Sequence, residues 1–186
     1  MRRPDILLCA AASLLLAPTL AHSADNCQMR ISEANVDYGA TTRAELLKKQ
    51  VSPLMMGLGK RNVTLTATCK TPTLMTLFFR GSGADGNAYR LGGGGSFTLR
   101  ALNARIDGRS VGLGSVVTAG MVPEQKADSL PLPPNRGVVP IQNDVPVKGV
   151  SLQIQVEISA LVSSTGSRIA DRTVFSGAGN FELQEN

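Results

Sequence analysis

The sequence has no tryptophan, one histidine and three cysteines, and aromatic residues make up only 4% of it. Each scarcity removes a class of function. The single histidine, His22, falls in a leader-like N-terminal stretch. A chain that has lost that leader has no imidazole for a Ser–His–Asp or Cys–His arrangement. Zinc sites fail for lack of histidine and spare cysteine. A chain without tryptophan lacks the usual platform for stacking sugars. Charged residues are 18% of the chain, and no run of basic residues interleaves with aromatics as in a nucleic-acid face. A carboxylate pair for glycoside hydrolysis is the enzymatic alternative. Its candidates, Glu33, Asp37, Asp85, Asp107 and Glu157 among them, lie mostly at expected turns or solvent faces. The sequence reads as a non-enzyme with no cofactor and no metal.

The N-terminus reads as a secretory signal over residues 1–23. Arg2 and Arg3 give the positive start, Ile6 to Leu20 is mostly Leu and Ala, and Ala21 and Ser23 stand at the −3 and −1 positions. Cleavage after Ala24 is the alternative. The apolar run is short and breaks at Pro18, which argues against a membrane span, and no later segment is apolar enough to be one. Loss of Arg2, Arg3 and Asp5 lowers the net charge from +5 to +4. Cys9 leaves as well. Cys27 and Cys69 remain in an oxidising compartment, so one disulfide between them is the default. It would close a loop of about 43 residues, for which chain entropy gives about 4 kcal/mol.

What is present is strand pattern. In Asn62–Cys69, Val63, Leu65, Ala67 and Cys69 alternate with Thr64, Thr66 and Thr68, the period of a half-buried strand. Met29 and Ile31 alternate in a first strand, and Val36-Asp37-Tyr38-Gly39 is a short extended piece. Thr42-Arg-Ala-Glu45 opens the only helical segment, with capping-box spacing. Ser52–Arg61 reads as loop, and a turn is expected at Thr71-Pro72. Leu74–Arg80 is apolar on both faces, as in a sandwich interior. Gly81–Gly95 reads as a glycine-rich loop. Its G-x-G-x-x-G match lacks the helix that a dinucleotide site needs. Phe97–Ile106 is a strand whose alternation shifts near Ala101, which predicts a bulge. Asp107-Gly108 predicts a hairpin, with Arg109–Val117 pairing back. Met121–Pro146 reads as a long irregular connection with a short extended piece at Val138–Ile141. Val150–Val162 alternates most cleanly. Ser163–Arg172 is an expected loop and Thr173–Leu183 a last strand. The Asn62-Val63-Thr64 glycosylation pattern reads as a chance match at a strand start. About seven strands and almost no helix predict a single all-β sandwich over residues 24–186.

A leader, then Cys27, then Val36-Asp37-Tyr38-Gly39, then a Thr-rich strand closing on Cys69, resembles the pilin-type subunits of chaperone–usher fimbriae of Gram-negative bacteria. Phe97-Thr-Leu-Arg-Ala, Ala104-Arg-Ile-Asp-Gly-Arg, Gly149–Val162 and Phe181-Glu-Leu resemble a fimbria-associated branch of that group. The resemblance implies an immunoglobulin-like (pilin-type) β-sandwich that lacks its last strand. It implies export to the periplasm and assembly into a fimbrium at the cell surface. The implied partners are a periplasmic chaperone, an outer-membrane usher and neighbouring subunits, with no nucleic acid and no membrane span after cleavage. The open groove is filled by a chaperone strand, then by the N-terminal extension of another subunit. By resemblance it lies between the first and last strands, bordered by Met29, Ile31, Val36 and Tyr38 from the start of the chain, and by Val174, Phe175, Phe181 and Leu183 from its end. The chaperone would hold the carboxylate of Asn186. Only Ala24-Asp25-Asn26 or less precedes Cys27, so a subunit that accepts a strand without donating one, at the fibre tip, is expected. The alternative is a tip adhesin contacting a ligand through Gly81–Gly95 and Ala119–Pro146. A secreted enzyme is the third reading.

Overall fold

The computed structural model describes residues 26–92, 94–165 and 174–186. The expected signal segment and most of the expected 163–172 loop lie outside the described residues. The elements begin with β1 (Cys27–Ile31), α1 (Arg43–Lys48), β2 (Gln50–Ser52), β3 (Met55–Thr73), β4 (Met75–Gly81) and β5 (Tyr89–Leu91). The middle of the chain forms β6 (Gly95–Ile106), β7 (Arg109–Ser110), β8 (Gly112–Val116), β9 (Gln125–Ala127) and β10 (Leu130–Pro131). Last come β11 (Gly137–Gln142), β12 (Val145–Pro146), β13 (Gly149–Ser163) and β14 (Gly179–Glu185).

These strands form two sheets. One has the order β1-β3-β13-β6-β10, with β2, β5 and β7 attached to β3 and β6. The other has the order β14-β4-β11-β8-β9, with β12 attached to β11. All pairings are antiparallel. The core lies between the sheets. Val63, Leu65, Leu99, Leu152, Ile154 and Val156 of the first sheet meet Met75, Leu77, Phe79, Leu113 and Val138 of the second. The chain is therefore an all-β, two-sheet sandwich.

The long strands follow their alternation. In β13 the even-numbered residues from Leu152 to Val156, with Ala160 and Val162, are buried, and Ile158 is half-buried. The disulfide links Cys27 to Cys69, which are direct partners in the β1–β3 ladder. The capping box of α1 forms: the Glu45 N–H donates to Thr42 Oγ1 and the Thr42 N–H donates to Glu45 Oε2. Those bonds hold the Glu45 carboxyl below its ordinary pKa. The shift in β6 is real and sits at Asn103–Ala104, which the ladder to β13 skips, and Asn103 takes φ 52°.

Several expectations need correction. Ser52–Arg61 is not a loop. Most of it is the first half of β3, held by β13, with a register shift at Gly57–Gly59 that admits both glycines. No turn forms at Thr71-Pro72; β3 runs on to Thr73. Of Arg109–Val117, only Arg109 to Val111 bond back to β6, Val111 through its N–H to the Ala104 carbonyl at 3.0 Å. Gly112–Val116 crosses to the other sheet and pairs with β11, because Leu113 to Val116 are all buried and need cover on both faces. Gly81–Gly95 contains β5 and a bridge from Gly83 to Tyr89. The 121–146 connection contains β9, β10, β11 and β12. The last strand starts only at Gly179.

Candidate functional site

Two sheet edges face each other without pairing. Among the described residues, β1 pairs only with β3, and β14 pairs only with β4. At one end the edges are tied: the Cys27 N–H, at the start of β1, donates to Glu185 Oε1, at the end of β14, over 3.1 Å. Away from that tie they part, and a cleft of about 910 Å³ opens between the sheets.

The sequence explains each wall. On one side the chain leaves β1 at Ile31, with one last bond from the Ser32 N–H to the Thr64 carbonyl. It then passes along the rim through Val36 and Tyr38 to α1. Tyr38 pins this rim. Its hydroxyl donates to the Ile158 carbonyl at 2.9 Å, and the Arg61 guanidinium lies 5.3 Å from its ring centre. Partial burial raises the Tyr38 pKa, and Arg61 offsets part of that rise. On the other side lie residues 174–178 and Phe181 of β14, with the Gly92 N–H donating to the Ser176 carbonyl.

The floor is aromatic and aliphatic. Phe79 makes edge-to-face contacts with Tyr89, Phe97 and Phe181 at centroid distances of 4.8, 6.0 and 4.9 Å. Such pairs add about 0.5–1.5 kcal/mol each beyond their buried area. Val63, Leu99 and Ala160 complete the floor. The Tyr89 hydroxyl donates to the Leu132 carbonyl at 3.0 Å, and burial pushes its pKa up to about 12. The cleft thus combines an apolar floor with two strand edges whose backbone groups have no strand partner on the cleft side among the described residues. That chemistry suits an extended polypeptide, which takes ladder bonds from an edge and sends alternate side chains inward. Among the described residues, no group of three or more His, Cys, Asp or Glu side chains could hold a metal ion.

Of the residues expected at a groove, Ile31, Val36, Tyr38, Val174, Phe175 and Phe181 line this cleft. Met29 and Leu183 do not reach it. They flank a separate gap of about 10 Å³ between the sheets, with Leu65, Leu77 and Ile154. Asn186 extends the β14–β4 ladder by exchanging bonds with Leu74, N–H to carbonyl, at 3.0 Å in both directions. The sequence reading missed the floor: Phe79, Phe97, Leu99, Val63 and Ala160. Phe79 was visible within a run buried on both faces. The others carried only the ordinary signature of inward strand positions.

A family model described as a protein of unknown function (DUF1120) matches residues 19–119, more than half of the chain. The chain belongs to that family. No curated protein matches it significantly. Two solved structures are similar to this DUF1120 chain. One is the P pilus rod subunit PapA, at 13% identity and a TM-score of 0.45, over 87% of this chain and 100% of that one. The other is a chaperone–usher pilus, at 15% identity and a TM-score of 0.37, over 99% of this chain and 100% of that one. Among the described residues no helix is long and apolar enough to cross a membrane.

Proposed function

We propose that the chain is a structural, non-enzymatic subunit of a chaperone–usher fimbria, and that its cleft accepts a strand from another polypeptide. The observation that carries this reading is the cleft between the unpaired edges of β1 and β14, floored by Phe79, Phe97 and Phe181. An inserted strand would pair with those edges and cover the apolar floor. A periplasmic chaperone supplies that strand first, and a neighbouring subunit replaces it at the outer-membrane usher. The ordered resemblance from Cys27 to Phe181 supports the same reading. In it, the chaperone grips the carboxylate of Asn186 before assembly.

The chain accepts a strand wherever it stands in the fibre. Tip or shaft depends on the residues ahead of Cys27 in the secreted protein, and mass spectrometry of its N-terminus reads them. A mature N-terminus well upstream of Ala21 excludes the tip. The reading as a whole is tested by producing the exported chain with and without a cognate periplasmic chaperone. Solubility only with the chaperone, in a one-to-one complex, is the expected result. A soluble, stable monomer made alone refutes the reading.

A further inference from the structure

The outward face of the first sheet is independent of the cleft, because its side chains alternate with those of the core. One register row across four strands reads Arg30–Thr66–Gln153–Arg105. Strands lie about 4.8 Å apart, so the two guanidiniums stem from points about 14 Å apart, with a hydroxyl and an amide between them. The neighbouring rows are also polar, with Thr68 opposite Ser151 and Thr64 opposite Gln155. Asn103 Nδ2 donates to Gln155 Oε1 at 2.7 Å. Arg30 and Arg105 are exposed, and among the described residues neither has an ion pair.

Cations dominate this face. Lys60, Lys70 and Arg100 join the two arginines, against Glu157, which Lys60 already holds at 3.0 Å, and Asp107 at the end of β6, whose carboxylate accepts from the Val150 and Ser151 N–H groups. Five cations against two carboxylates leave this surface with a net charge of +3. The arginines outside this face that meet carboxylates, Arg80 and Arg136, are already paired.

We infer that this face binds a linear acidic polysaccharide. Carboxylates along the polymer pair with Arg30 and Arg105, whose planar guanidiniums take carboxylates two bonds at a time. Sugar hydroxyls in between meet Thr66 and Gln153. The outward positions of these strands carry no aromatic side chain, so neither bases nor sugar rings stack there, and recognition rests on charge pairing and hydroxyl contacts.

The test measures retention of the exported protein, as recovered with its own partners, on immobilised polygalacturonate. Binding that weakens steeply with salt is expected. Arg30→Gln with Arg105→Gln should lower affinity at least about tenfold, the loss of two charge-assisted contacts. Lys48→Gln with Lys49→Gln removes the same charge beside α1 and should change affinity less than about twofold. Circular dichroism confirms that both variants stay folded. Absence of binding at low salt overturns the inference, as does an equal loss in the two variants. Displacement of the glycan by duplex DNA at matched charge reassigns the face to nucleic acid and overturns it too. None of these outcomes depends on whether the cleft accepts a strand.

Discussion

Cys27 and Cys69 are 42 positions apart in the chain and directly opposed in the β1–β3 ladder. Replacing both with alanine releases that loop in the unfolded chain and frees the start of β1 in the folded one. Alanine is preferred to serine because both positions are buried and Cys69 Sγ sits 3.4 Å from Met75 Sδ, where a hydroxyl would lose its water. The closure entropy of a loop of this size amounts to about 4 kcal/mol. That is a large fraction of the roughly 5–15 kcal/mol that holds a domain together. With a urea dependence of about 2 kcal/mol per molar, the unfolding midpoint should fall by about 2 M. The loss should also have a location. β1 pairs with one strand, over five residue pairs, and its other edge holds only the Cys27–Glu185 bond. Hydrogen exchange should therefore accelerate most at residues 27–31 and least at β13, which is paired on both sides. A midpoint shift below about 0.5 M, or acceleration spread evenly over both sheets, would refute the reasoning.

Two other outcomes follow from buried polar groups. Thr76 is fully buried in β4, and its hydroxyl oxygen has no hydrogen-bond partner among the described residues. Thr76→Val should therefore stabilise the fold by about 1–2 kcal/mol, read as a higher urea midpoint, and a lower midpoint would show that the hydroxyl is bonded. Tyr38 and Tyr89 are the only tyrosines of a chain without tryptophan, so phenolate absorbance reports on them alone. Burial raises both pKa values above that of an ordinary tyrosine, Tyr89 to about 12. The unfolded phenols ionise first, so the stability they contribute is complete below about pH 10 and is lost as pH rises through the folded values. A folded-state titration centred at the ordinary tyrosine value would contradict the burial of both rings.

The strands most legible in the sequence were those whose alternation is long and two-sided. In β13 and the second half of β3, apolar and polar residues alternate, and each is flanked by strands that use both edges. The first half of β3 was read as loop because Pro53, Gly57 and Gly59 punctuate it. Its strand character comes from the far end of β13, where Leu161 and Val162 pair with Gly57 and Met56. Tertiary pairing there outweighs local preference. Asp107-Gly108 correctly marked a turn, with Asp107 at φ 49° and Gly108 at φ 78°. The turn could not say how long the returning strand stays paired. In Leu113-Gly114-Ser115-Val116 the one polar residue, Ser115, is small and uncharged, which was the available sign that this segment leaves for a covered position. The rim of the cleft was legible only through the resemblance carried by Cys27, Val36-Asp37-Tyr38-Gly39 and Cys69. The floor was not, because an inward Phe or Leu beneath an open slot has the same sequence pattern as one beneath a closed core.

The most direct test of strand acceptance is hydrogen exchange at the two edges, 27–31 and 179–185, in the exported chain held in its one-to-one chaperone complex. Strand insertion between β1 and β14 predicts that both edges, along with the rim at Val36–Tyr38, are protected to the level of β13, which is paired on both sides. Rapid exchange at both edges within that complex would contradict it.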